Sequence, residues 1–223
     1  RDGLQLWVNG SLKTLALTVD INLVAFLIAS TSDFGGQYAV ALVVVGIVAS
    51  LASSSFRVLH RRVVQEQAAL PSFDDAPDGA KRERTRLFGD LVRFSAIDVV
   101  VFTFATVGVL LCMPVVPWLF PKYSGAIALL PLLLLGGAVT RARAYTELPR
   151  KSDQRFFAVH AAYVVQLVLT AGFFALLAQQ GPSSWLAACR AVGAVPATSG
   201  LWLVVRRDLY GSRADLVRLG AVF

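Results

Sequence analysis

Four stretches of the chain carry no charged side chain: residues 34–56, 99–121, 123–140 and 156–180. Each reaches or exceeds the roughly 18–20 residues that a helix rising ~1.5 Å per residue needs to cross a ~30 Å bilayer core. Two further apolar runs are interrupted, the first by Lys13 and Asp20 and the last by Arg190. Together they predict an all-α membrane protein, a six-transmembrane-helix bundle with spans at about 5–30, 37–59, 91–113, 123–144, 155–178 and 184–205. Turn signals separate the spans: Thr31-Ser-Asp-Phe-Gly-Gly, the prolines Pro114, Pro117 and Pro121, and Gly181-Pro182-Ser-Ser. Residues 1–206 thus read as one six-helix lobe and residues 207–223 as a cytoplasmic tail.

Composition agrees with this pattern. Of the 223 residues 56% are hydrophobic and 16% charged, which leaves too little polar surface for a soluble domain. The formal charge of +7 would suit nucleic acid were it spread over one face, but its distribution follows the spans instead. Seventeen Lys and Arg residues fall in the second-to-third connection, the fourth-to-fifth connection (Arg141 and Arg143 included) and the tail, against Lys122 alone in the loops of the other side. Basic loops stay cytoplasmic, so a multi-pass protein of the cytoplasmic membrane with both termini inside is expected, with membrane lipids as partners and no nucleic acid. The connection at 60–90 holds a polar turn, Pro71-Ser-Phe-Asp-Asp-Ala-Pro-Asp-Gly, and then residues 80–94 as a basic amphipathic helix. That helix is expected to lie at the headgroups, with Leu87, Leu91 and Phe94 toward the acyl boundary. Cys112 and Cys189 lack metal-type spacing and are expected as small packing residues; no metal site or cofactor is expected. The chain begins at Arg1 rather than Met, which reads as a trimmed chain or a piece of a longer protein.

Charged groups inside a span cost several kcal/mol, so they mark protein interior or wet cavities. At 100° per residue Gln5, Asn9, Lys13 and Asp20 fall within about 80° of arc, one polar stripe along the first helix. Such a stripe suits a water-filled vestibule or solute path; its plainer readings are a local salt bridge or a snorkelling Lys13. Asp98, about one and a half turns into the third helix, and Arg190, entering the last helix from the outer side, complete the candidate cavity set; either also fits a headgroup-level position. His160 is a titratable group near a helix end, more simply read as packing. No nucleophile–base pair or paired carboxylates stand at one membrane face; Asp74, Asp75 and Asp78 lie in a turn. No catalytic residue is assigned and the chain is not read as an enzyme.

Several local motifs occur in order. Gly3 precedes Leu17-Thr-Val-Asp20-Ile-Asn-Leu. Then come Gly36-Gln-Tyr38-Ala-Val-Ala41 and the basic stretch from Ser53 to Arg62. The last is Trp118-Leu-Phe-Pro-Lys-Tyr123-Ser-Gly-Ala126, with Pro121 where glycine would be usual. In this order the chain resembles the C-terminal six-helix lobe of the polysaccharide flippases, within the multidrug/oligosaccharidyl-lipid/polysaccharide exporter superfamily. The resemblance implies translocation of a lipid-linked oligosaccharide or polysaccharide precursor by alternating access, for cell-envelope polysaccharide biosynthesis. It further implies an N-terminal lobe as partner, a lipid-linked glycan as substrate, and Asp20 at the acid of the family's seventh helix. Lys13, Asp98 and Arg190 match no family motif. A non-transporting membrane scaffold subunit of a glycan-assembly complex is the alternative, and in it the polar stripe would be filled by side chains.

Overall fold

The computed structural model describes residues 2–28, 33–68, 78–119, 121–152 and 156–210. Among them there is no strand. The long helices are α1 (Asp2–Leu27), α2 (Phe34–Ala68), α3 (Asp78–Cys112), α5 (Ala126–Ser152), α6 (Phe157–Ala178) and α7 (Ala188–Tyr210), with a short α4 (Val115–Leu119) before α5. Six windows are long and apolar enough to cross a membrane: Gly3–Leu27, Phe34–Leu51, Arg86–Cys112, Ala126–Glu147, Phe157–Ala178 and Ser184–Arg207. The protein is therefore an all-α, multi-pass membrane bundle. Its exterior agrees: Phe26, Phe104, Leu111, Trp118 and Phe157 are largely exposed, as side chains facing hydrocarbon would be.

The turns are built by local chemistry. Gly181 closes the α6–α7 turn at φ +89°, a conformation that a Cβ disfavours. Ser183 then accepts a hydrogen bond from the Trp185 N–H at 3.1 Å, capping the turn of 3₁₀ helix that leads into α7. Pro121, where a glycine stands in the resembling motif, is accommodated by a short 3₁₀ turn, Pro121–Tyr123.

Helices α5 and α7 are the most buried and sit at the centre; α5 packs against α2, α3 and α7, and α7 against α5, α6 and α3. At the end of the bundle formed by the α1–α2 and α6–α7 turns, one core joins Val24, Tyr38, Ala41, Phe102, Leu133 and Leu186. Toward the opposite end, which bears the basic connections, a smaller core joins Ala16 of α1 to Val159 and Tyr163 of α6 and Ala197 and Leu201 of α7. Among the described residues, that second core draws on α1, α6 and α7. Helix α1 thus meets α2 near their shared turn and packs with α6 and α7 further down.

Two expectations are corrected. Residues 80–94 do not form a separate surface helix but continue directly into α3. Leu87, Leu91 and Phe94 are buried in the bundle rather than facing acyl chains, and Phe88 stacks edge-on against Trp202 of α7 at 5.7 Å. The hydrophobic spacing was real, but its apolar face is buried in the bundle instead of in lipid. Arg141 and Arg143, counted with a basic loop, lie inside the bundle because α5 runs on to Ser152. The polar turn expected at 71–79 falls mostly outside the described residues.

Candidate functional site

Among the described residues, three buried charge clusters tie the helices together. In the first, Arg190 of α7 reaches Asp20 of α1 with two parallel contacts, Nε to Oδ2 and Nη2 to Oδ1, both 2.9 Å. Its Nη2 also donates to the Leu17 carbonyl at 2.6 Å, and the Tyr38 hydroxyl of α2 donates to Asp20 Oδ2 at 2.6 Å. Asp20 and Tyr38 are wholly buried. A forked guanidinium matches a carboxylate in this way with little rotamer freedom left. Gly136 of α5 makes room: a Cβ there would come within 2.9 Å of Arg190 Cγ.

The second cluster pairs α3 with α5. Arg141 Nη2 donates to Asp98 Oδ1 at 3.0 Å, and its Nε lies 2.9 Å from Oδ2. The third joins α5, α6 and α1. Arg143 Nη1 donates to the Gln166 side-chain oxygen, and Nε stands 3.3 Å from Glu147 Oε1. The Tyr163 hydroxyl donates to Glu147 at 2.6 Å, while its ring lies 4.5 Å beneath the guanidinium. Gln166 Nε2 donates in turn to the Ala16 carbonyl at 3.3 Å. Arg141 and Arg143 are two positions apart and so point to opposite flanks of α5, one toward α3 and one toward α6.

These clusters place the sequence candidates. Asp20 and Arg190 come together, although 170 positions apart; Arg190 turns inward rather than out to the headgroups. Asp98 is wholly buried and paired, not at headgroup level. Asn9 is buried, and its side-chain oxygen has no hydrogen-bond partner among the described residues. Gln5 and Lys13 are exposed. The Gln166–Ala16 contact sets the register of the parallel pair α1 and α6, so Gln5 lies about level with the chain just before α6 begins. Lys13 lies about 60° around α1 from Ala16, on the flank that also carries Asp20. The polar stripe is therefore continuous around the helix but divided along it.

Sequence reasoning missed Arg141, Arg143, Glu147, Tyr163 and Gln166. The Arg143–Glu147 spacing of four was a usable signal, because such a pair shares one helix face. The motif residues meet as well: Asp20 binds Tyr38, and Gly36 faces the Tyr123 ring, a Cβ on that glycine falling 3.7 Å from Cε1. Gly125 faces the Gln37 side chain so closely that a Cβ there would clash. In comparisons with protein-family models, curated proteins and solved structures, nothing matches this chain.

Proposed function

We propose that this bundle is one lobe of a transporter that moves a lipid-linked, anionic glycan precursor across the membrane, as the flippase-like motifs imply. The exposed, polar lower half of α1 would form part of the path. The observation that carries this reading is the position of Lys13. It lies near the middle of the Gly3–Leu27 window, yet its side chain is exposed. A lysine facing hydrocarbon at that depth costs at least ~2.5 kcal/mol, so water, a second lobe or a polar solute covers it more favourably than lipid. A pyrophosphate-linked sugar is polar and anionic, and a cation beside the donor Gln5 suits its head group. Asp20 is neutralised by Arg190 and hydrogen-bonded by Tyr38, which gives the path a fixed upper wall rather than a second binding charge.

The filled Asp20 site favours one second reading, the non-transporting scaffold, in which Lys13 and Gln5 would bind a partner helix. Transport of the lipid-linked glycan by the full protein in reconstituted vesicles separates the two. Under the transport reading Lys13→Ala lowers transport several-fold at unchanged abundance in the membrane. Near-normal transport by both Lys13→Ala and Gln5→Ala would overturn it.

A further inference from the structure

A different surface of the bundle carries a second site. Helices α6 and α7 approach closely at Gly193, where a Cβ would fall 2.7 Å from the Gln166 carbonyl and closer still to Thr170. Toward the basic end they part. Pro196 lies inside α7 just past the pinch, where its ring replaces a backbone hydrogen-bond donor. From there a wedge-shaped groove of ≈ 410 Å³ opens between the helices. Its floor is Ala162, Ala197 and Leu201, all buried, and its walls include Ala161 and Gly200, both exposed. The lining is almost wholly apolar, and a Cβ on Gly200 would meet nothing within 4 Å.

We infer that this groove binds one acyl chain of an anionic phospholipid, with the headgroup held by Arg207 at its open end. Both walls belong to membrane-spanning windows, so the groove faces hydrocarbon. Pro196 to Val204 gives it a length of about 12 Å along α7. A single flexible chain fits that length and that apolar lining. Arg207 supplies the charge complement: eleven residues after Pro196 and seven after Gly200, it falls between them around the helix and is exposed in the last turn of α7. A guanidinium there meets phosphate at the level where the apolar window ends. Arg206 points to another flank and is not part of the site. The inference requires only that α6 and α7 span the membrane and does not rest on the transport reading.

The test is native mass spectrometry of the full protein, released from phosphatidylcholine nanodiscs that contain a minor fraction of phosphatidylglycerol. The wild type should retain one phosphatidylglycerol through activation that strips the other lipids. Gly200→Phe fills the groove from an open position and should lower that retention several-fold. Arg207→Gln should leave one lipid bound but abolish the preference for phosphatidylglycerol over phosphatidylcholine. Far-UV circular dichroism and thermal unfolding should match the wild type in both variants. If Gly200→Phe proves misfolded, Ala161→Phe replaces it from the other wall. Undiminished phosphatidylglycerol retention in a folded groove-filling variant would overturn the inference. So would a groove occupied by a second copy, seen as a dimer that Gly200→Phe dissociates without change in bound lipid.

Discussion

The two halves of α1 carry the same polar stripe and meet opposite fates. In the upper half Asp20 is enclosed by Arg190, Tyr38 and the Leu17 carbonyl, so that a carboxylate in the membrane has every charge and donor it needs. In the lower half Lys13 and Gln5 stand exposed, while Asn9 and Ala16 are buried and Leu12 is partly buried. The difference lies in the neighbours. Helix α2 meets α1 at the Asp20 level through Tyr38, and among the described residues the lower core of α1 is made with α6 and α7. A stripe read from helical spacing identifies a face; which part becomes a lock and which stays exposed depends on where other helices cross it.

The lock should be the costlier half to disturb. Replacing Arg190 by Ala leaves Asp20 and Tyr38 without their cation in a buried site. It should lower stability by about 3–5 kcal/mol, seen as a large fall in the denaturant midpoint of the detergent-solubilised protein. The double variant Asp20→Leu, Arg190→Met removes both charges and should recover most of that loss; no recovery would show that the pair is not the interaction broken.

Next in size is Gly193→Leu. Its side chain must displace the α6 backbone at Gln166 and should cost about 2–3 kcal/mol by the same measurement. Tyr38→Phe deletes one hydrogen bond to a carboxylate that keeps its arginine, so a loss of about 1 kcal/mol is expected. Smallest of all should be Lys13→Ala and Gln5→Ala. Changes at exposed positions lie within about 0.5 kcal/mol, and a larger loss would mean that these residues belong to the lock as well.

The bundle itself was legible because hydrocarbon imposes one demand, about 20 apolar residues per crossing, that any window reveals. The polar stripe was legible for the same reason, since 100° per residue is local geometry. The pairing was not. Lys13, seven positions away, looked the natural neighbour of Asp20, but the true partner lies on the last helix and is brought there by packing that no local spacing encodes. Arg141 and Arg143 misled in the other direction. Arginines near the end of an apolar run suit a headgroup loop, and only the continuation of α5 to Ser152 carries them between Asp98 and Glu147. Leu87, Leu91 and Phe94 show the same ambiguity, because an apolar face is indifferent to whether lipid or another helix covers it.

Whether the lower half of α1 lines a wet path is most directly measured by cysteine labelling at position 13. In a Cys112→Ser background, which removes the exposed native thiol, Lys13→Cys is treated in permeabilised membranes of the full protein with a charged, water-soluble maleimide. Phe26→Cys, at a largely exposed apolar position on the same helix, serves as the lipid-facing control. Rapid labelling at 13 and little at 26, with excess lipid-linked glycan slowing the reaction at 13, is the expected result. Labelling of both positions only by a lipid-soluble maleimide would place Lys13 against hydrocarbon and contradict the proposed path.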